Sequence, residues 1–144
     1  ERDWRGLNIS LQRGINNFKN DSLAAPPGLY QARSKFNYNL LGAIMEKVTG
    51  EKYSELLKSY VTDTLNLDNT LVDHPFIPVK GRSDFYDYNY ISQVVNATFR
   101  DMRYRAPSEG LLSNAEDLVK FGNALLYSDY FKEIITDMGH RVVT

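Results

Sequence analysis

Residues 26–50 read PPGLYQARSKFNYNLLGAIMEKVTG, and this stretch decides the fold. Its opening Pro-Pro-Gly excludes a helix there, because a proline biases the preceding residue toward extended backbone. Further along, apolar residues recur at the spacing of a helix with one broad apolar face: Leu40, Leu41, Ile44, Met45 and Val48. Gly50 predicts the helix end, since glycine adopts the left-handed conformation common at helix C-termini. We expect the other elements to pack around this apolar stripe.

Helical spacing continues on both sides of that stretch. Leu11, Ile15 and Phe18 predict a first helix with Ser10 as its N-cap, which Gly14 weakens by about 1 kcal/mol. Residues 51–62 predict a helix that follows the central one.

Two more helices are predicted near the C-terminus. Ser113-x-x-Glu116 matches a capping box, in which a serine and a glutamate cap the helix reciprocally. It predicts a helix from there to about Tyr127, with Leu118, Phe121 and Leu125 facing inward. A last helix is predicted over residues 128–139.

One region reads as strands. Residues 85–90 and 93–97 alternate as two short strands joined at residues 89–92, which predicts one antiparallel hairpin. The alternation indicates that part of its aromatic cluster packs inward: Phe85, Tyr86, Tyr88 and Tyr90. A platform on which bases or sugars stack is the alternative interpretation.

Length and composition limit the number of domains and the kinds of partner and site that the chain can have. The 144 residues suit a single domain over 1–144, and we predict a mainly α fold of about five helices with one small antiparallel hairpin. A net charge of −1 implies no bulk affinity for nucleic acid, and no apolar run is long enough for a membrane span. The chain has no cysteine, so disulfides and thiolate metal sites are excluded, and no cofactor is indicated. It lacks a basic-then-apolar leader, so we expect a mature or truncated start.

Two blocks carry a family resemblance. Tyr38-Asn39-Leu40-Leu41-Gly42-Ala43-Ile44, followed by Glu46-Lys47-Val48-Thr49-Gly50, resembles the central helical region of serine β-lactamase-like and penicillin-binding-protein-like hydrolases. Residues 110–126, GLLSNAEDLVKFGNALL, resemble that family's later GG-[FL]-x-S-[TN]-A-x-D-L-x-[KR]-F segment. The similarity is closest to the class C and esterase-like branch, which includes mitochondrial β-lactamase-like proteins. It implies the helical lobe that forms one wall of the active-site cleft.

The resemblance also implies a catalytic machinery of three separated elements: Ser-x-x-Lys, Tyr-x-Asn, and Lys-Thr-Gly or His-Thr-Gly. Its serine attacks a carbonyl while a neighbouring lysine or tyrosine accepts the proton. The chain contains no Ser-x-x-Lys, no Lys-Thr-Gly and no His-Thr-Gly. We therefore name no catalytic residue and expect no hydrolysis by the chain alone.

The position of the middle element, Tyr-x-Asn, can be found by counting, but the residues there are of other types. Counting back from Tyr38 places the family's Tyr-x-Asn on Arg33-Ser34-Lys35. Arginine stays protonated and cannot act as a general base, so the tyrosine's role is not carried over. The second block departs as well, because Glu109 precedes Gly110 where the family usually has Gly-Gly, and Arg103 and Arg105 lie just upstream.

These departures share one feature, since all fall where the family's cleft faces its α/β lobe: Arg33, Lys35, Arg103, Arg105 and Glu109. Our hypothesis is a helical lobe standing alone, with its formerly covered face made charged by engineering or divergence, which prevents association. Ordinary drift in a fragment is the alternative.

Other candidate groups are weaker. His74 and His140 have no metal-ligand spacing, so no metal site is predicted. Asp63, Asp68 and Asp73 lack the glycine of a calcium loop and read as solvated carboxylates. A basic patch could hold a carboxylate or phosphate, although a solvated face is the commoner outcome: Arg33, Lys35, Arg100, Arg103 and Arg105.

Three functions stay open at this point. The chain is a scaffold or interaction module, a fragment of a serine hydrolase (β-lactamase, DD-peptidase or esterase) whose nucleophile lies outside it, or an anion-binding module. The implied partner is a missing α/β lobe or another protein, with no nucleic acid and no membrane. Relatives of this kind are periplasmic, secreted or mitochondrial, and the sequence does not choose among them.

Overall fold

A computed structural model describes residues 10–23, 25–29, 31, 33–98 and 101–132, and the mainly helical prediction is confirmed. Its helices are α1 (Leu11–Asn16), α2 (Lys35–Thr49), α3 (Tyr53–Leu57), α4 (Asp63–Leu65), α5 (Ala106–Glu109) and α6 (Ala115–Tyr127). A π-helical turn, Lys58–Thr62, joins α3 to α4, and a 3-10 turn, Arg103–Arg105, leads into α5. The strands are β1 (Leu71–Val72), β2 (Tyr86–Tyr88), β3 (Val94–Asn96) and β4 (Leu111–Leu112).

Both sheets are antiparallel pairs. β2 and β3 form the predicted hairpin, with Tyr86 opposite Asn96 and Tyr88 opposite Val94. The pairing of β1 with β4 was not predicted. Each of those strands has only two residues, so neither displays an alternation that a sequence pattern can detect.

The helix ends confirm one predicted cap and correct another. The Ser10 hydroxyl accepts a hydrogen bond from the backbone N–H of Arg13 at 3.3 Å, as expected of an N-cap. The predicted capping box at Ser113 is wrong, because α6 is capped by Asn114, whose side chain accepts from the N–H of Asp117 at 2.8 Å. The Ser113 hydroxyl lies 2.8 Å from the hydroxyl of Thr70 instead.

The chain divides into two compact units. The first unit comprises Glu1–Leu40 and Asp73–Gly110, and the second comprises Leu41–Val72 and Leu111–Thr144. The prediction of a single domain over residues 1–144 stays a prediction. In the first unit Leu11 and Ala106 are buried, and in the second Leu56 and Leu67 are buried.

The apolar stripe of α2 does not form the core, so that expectation is wrong although the helix itself is present. All five stripe residues are exposed, by 38% to 80% of their surface: Leu40, Leu41, Ile44, Met45 and Val48. Asn39 and Gly42 are the buried residues of this helix. An amphipathic pattern shows which side chains favour burial, but it does not show that the same chain buries them.

Two further expectations about packing are wrong for the same reason. Leu118 and Leu125 of α6 are exposed rather than inward-facing. The aromatic cluster of the hairpin is exposed as well: Phe85, Tyr86, Tyr88 and Tyr90.

Some expectations reach beyond the described residues. Residues 129–132 are helical, and the rest of the predicted last helix lies outside the described residues, as do Arg100 and His140. Within the described part of the chain, every helix is too short or too polar to span a bilayer.

We predict opposite effects for two helical glycine-to-alanine substitutions. A Cβ at Gly14 would lie 2.5 Å from the backbone carbonyl oxygen of Tyr104, so Gly14→Ala is expected to lower the free energy of unfolding by about 1–3 kcal/mol. A Cβ at Gly122 meets no atom within 4 Å, so Gly122→Ala is expected to raise it by about 0.5–1 kcal/mol. Urea unfolding of both variants tests the pair, and equal effects at the two positions would contradict the close approach at Gly14.

Candidate functional site

The segment Arg33-Ser34-Lys35, where the sequence predicts the family's Tyr-x-Asn position, leads into α2. Ser34 directly precedes the helix, and its hydroxyl oxygen accepts a hydrogen bond from the backbone N–H of Phe36 at 3.2 Å. Such a serine-backbone bond is typical of turns and helix starts. Arg33 is exposed, and among the described residues it has no ion-pair partner. In this geometry Ser34 orders the entry to α2.

Lys35 takes part in a three-residue cluster with Arg105 and Glu109, here called the Glu109 cluster. The Lys35 ammonium donates to Oε1 of Glu109, and Nη2 of Arg105 lies 2.7 Å from Oε2 of the same carboxylate. Arg105 and Glu109 are one helical turn apart, which brings their side chains to one face. Both carboxylate oxygens of Glu109 are thus occupied by cations of the chain itself.

Arg103 belongs to a different group. Its guanidinium forms a two-pronged contact with Asp101, with Nε 3.0 Å from Oδ1 and Nη2 2.6 Å from Oδ2. Its Nη1 lies 3.0 Å from Nε2 of His74. Burial alone would raise the pKa of the Asp101 carboxyl, but the hydrogen bonds and positive charge of Arg103 outweigh burial and hold that pKa below its usual range.

The predicted site residues therefore separate into two ion-paired groups plus one exposed cation. Lys35, Arg105 and Glu109 come together, whereas Arg103 pairs with Asp101 and Arg33 is exposed to solvent. An anion approaching these cations would have to compete with carboxylates already in place. Whether these positions once lined a catalytic cleft stays a prediction.

Sequence reasoning missed a buried polar residue beside the Glu109 cluster. Asn39 is fully buried, and its Oδ1 accepts a hydrogen bond from the hydroxyl of Ser108 at 2.9 Å. That hydroxyl also lies 3.0 Å from the carbonyl oxygen of Arg105. An asparagine next to an apolar stripe ordinarily reads as a solvent-facing residue, so no sequence signal distinguished it.

A second missed residue anchors the other unit. Asp117 is fully buried at the start of α6, and its Oδ2 accepts from the N–H of Asn69 and the hydroxyl of Thr70, both at 2.8 Å. Burial alone would raise the pKa of this carboxyl. The hydrogen bonds from Thr70 and Asn69 and the charge of Lys120 outweigh burial and lower it.

The remaining candidate carboxylates do not assemble into a metal site. Asp63 pairs with Lys58, and Asp73 forms a two-pronged ion pair with Arg82. Across the described residues, no three histidine, aspartate or glutamate side chains gather closely enough to hold a metal ion.

Comparison with known proteins now gives a family context. The β-lactamase family model matches residues 4–138. The serine beta-lactamase-like protein LACTB, mitochondrial, of Mus musculus is 38% identical over 110 residues, which are 76% of this chain and 20% of that protein. The chain thus spans about a fifth of the length of the curated relatives it matches.

Solved structures agree on the fold. A penicillin-binding protein from Bacillus halodurans superposes with a TM-score of 0.74 at 18% identity, covering 93% of this chain and 43% of that one. The octameric penicillin-binding protein homologue from Pyrococcus abyssi gives 0.71 at 23% identity, covering 86% of this chain and 28% of that one. At such low identity these matches establish the fold alone.

We predict that removing the charge of Glu109 lowers the stability of the fold, and that this loss depends on salt. Glu109→Gln leaves two cations without their shared carboxylate, and we expect the free energy of unfolding to fall by about 0.5–1 kcal/mol. Lys35→Gln should have a smaller effect, because 68% of the Lys35 side chain is exposed. Chemical denaturation at low and high salt tests this, since salt screening should shrink the difference from the parent chain. A deficit that high salt leaves unchanged would contradict an electrostatic origin.

The lowered pKa of the Asp117 carboxyl leads us to predict that the stability of the fold depends on pH. A carboxyl whose pKa is lower in the folded than in the unfolded chain stabilises the fold above the unfolded value of about 3.9. That contribution is lost as the pH falls below this value through the folded-state pKa. Asp117→Asn should therefore flatten the fall of the urea midpoint between pH 5 and pH 2, measured in steps. Asp84→Asn, at an exposed carboxylate, is the control, and equal flattening in both variants would contradict the assignment.

Proposed function

Since the chain belongs to the β-lactamase family, we propose that it forms the helical wall of a larger serine hydrolase whose reactive residues lie outside these 144. In this proposal the whole protein cleaves an amide or ester by attack of a serine on the carbonyl. The chain positions that chemistry without performing it.

The motifs that the chain lacks support the proposal that the reactive residues lie outside it. Ser-x-x-Lys and Lys-Thr-Gly are both absent from the sequence, so neither the nucleophile nor the strand of the third element is present. The Tyr-x-Asn position offers no replacement. Its arginine stays protonated, its serine accepts a backbone hydrogen bond, and the ammonium of Lys35 is bound by Glu109.

The observation that carries the proposal is the exposed apolar stripe of α2. Val48 is 80% exposed and Leu41 is 55% exposed, and they lie on the same side of the helix as Ile44 and Met45. Contiguous apolar surface of this kind marks an interaction face in soluble proteins. A larger hydrolase supplies a partner for this face without a second protein.

A stand-alone scaffold is the second candidate, and the Glu109 cluster favours it. Charged, mutually paired side chains at positions that the family places in its cleft suit a surface in contact with water. An anion-binding module has less support, because Lys35, Arg103 and Arg105 already pair with carboxylates. The curated relatives are mitochondrial by name, and we extend that location to this chain as part of the proposal.

Hydrolysis assays test the catalytic half of the proposal. The purified 144-residue chain should release no product above the buffer rate from a chromogenic cephalosporin or a nitrophenyl ester. Ser34→Ala is the matched variant. Turnover well above buffer that disappears in Ser34→Ala would show that the chain carries its own nucleophile, and the proposal would fail.

The structural half is tested at Val48. In the isolated chain, Val48→Lys and the control Glu51→Lys should both change the free energy of unfolding by no more than about 0.5 kcal/mol, because both positions are exposed. In the longest product of the same gene, whose mass should exceed twice that of this chain, Val48→Lys should cost about 2 kcal/mol or more by burying an unpaired ammonium. A gene product of 144 residues, or equal effects of the two variants in a longer one, would favour the scaffold.

A further inference from the structure

The β2–β3 hairpin is exposed on both of its faces. On one face, Tyr86, Tyr88 and Val94 are exposed by 62%, 71% and 63%, and on the other face Val95 is exposed by 40%, together with Asp87. Two-stranded hairpins are marginally stable in water unless a further strand or a packed face supports them. Among the described residues, the sheet contains these two strands alone.

The backbone hydrogen bonds show which groups face outward. The N–H of Ala97 donates to the carbonyl of Phe85 at 2.8 Å, and the N–H of Asn89 donates to that of Gln93 at 3.0 Å. In an antiparallel pair, hydrogen-bonded and non-hydrogen-bonded residues alternate. The N–H and C=O groups of Tyr86 and Tyr88 therefore point away from β3, and those of Val94 and Asn96 point away from β2.

The two outer edges differ. On the β2 edge, Oδ1 of Asp87 accepts a hydrogen bond from the N–H of Tyr88 at 2.8 Å. The carboxylate occupies an edge donor and places a charge on that strand, which are two ways in which proteins block further pairing.

Among the residues that the structure describes, none protects the β3 edge in this way. Residues 89–98, NYISQVVNAT, contain no charged residue and no proline. Valine favours extended backbone, and Val94, Val95 and Asn96 are all exposed. Uncharged, exposed edge strands of this kind are templates for pairing with another strand.

We propose that β3 pairs antiparallel with β3 of a second copy of this chain, about a two-fold axis at Val95. Val94 of each copy then exchanges two backbone hydrogen bonds with Asn96 of the other, giving the four-stranded order β2-β3-β3-β2. In this register both outward-facing residues of β3, Val94 and Asn96, find a partner on the other copy. Registers centred on Val94 or Asn96 overlap less.

Charge favours a second copy as the occupant. A two-fold interface brings the same surface together with itself, so a self-pairing edge must carry no repeated like charge. The β3 edge meets this condition, whereas pairing through β2 would bring two Asp87 carboxylates toward each other. The contact is small, in the class below about 1,200 Å² that is typical of weak association. The dimer should therefore dissociate on dilution.

Paired variants test the register. Val94→Lys with Asn96→Lys places like charges at both cross-copy contacts and should raise the dissociation constant about tenfold. Val94→Lys with Asn96→Glu places opposite charges at the same contacts and should keep the dissociation constant within about threefold of the parent. Both double variants alter the same two exposed residues, so each controls for the other. Sedimentation from about 10 µM to about 1 mM measures association, and circular dichroism checks the fold.

Amide exchange tests the contact itself. The N–H groups of Val94 and Asn96 should gain protection as the concentration rises, whereas that of Tyr86 on the β2 edge should not. A chain that stays monomeric at about 1 mM would overturn the proposal. So would a dimer that the two double variants affect equally, because association would then come from another surface such as the apolar stripe of α2. This outcome is independent of the hydrolysis assays.

Discussion

The orientation of α2 is the constraint on which the rest of this structure depends. Its buried positions are held by Asn39 and Gly42, while its apolar stripe faces outward. A buried asparagine needs hydrogen-bond partners, and the hydroxyl of Ser108 supplies one at 2.9 Å. Ser108 lies in α5, beside Arg105 and Glu109, so this polar contact and the ion pairs of Lys35 connect the start of α2 to α5.

The sequence predicts that the family's Tyr-x-Asn element falls on Arg33-Ser34-Lys35, at the entry to α2. In this predicted alignment a serine is retained, and positively charged residues stand where the family has tyrosine and asparagine. A cation without a partner in a cleft would attract an anion. Here Glu109 pairs with two cations and Asp101 with a third, which leaves Arg33 as the exposed cation among the predicted site residues that the structure describes. The chain belongs to the β-lactamase family, and at these positions its described side chains form hydrogen bonds and ion pairs within the chain.

Each compact unit contains a carboxyl group whose pKa is lowered by hydrogen bonds. Asp101 pairs with Arg103 in the first unit, and Asp117 accepts hydrogen bonds from Asn69 and Thr70 in the second. Both carboxyl groups have pKa values below their usual range because hydrogen bonding outweighs burial. The exposed surfaces differ in whether a charged side chain protects them. The edge of β2 is protected by Asp87, whereas the edge of β3 and the stripe of α2 retain the capacity to bind other strands or apolar surfaces.

The sequence by itself determined the local features of this protein. Periodicity located α2, alternation located the hairpin, and Ser10 marked its helix start, because these signals depend on neighbours within a few residues. The Ser113-x-x-Glu116 pattern predicted α6, although the N-cap of that helix is Asn114. The two blocks around α2 and α6 also identified the family. Only the tertiary structure decided which faces are buried and which charges pair. The contacts of Asn39 with Ser108, of Lys35 with Glu109 and of β1 with β4 join residues far apart in sequence, and no local pattern encodes the partner of such a contact.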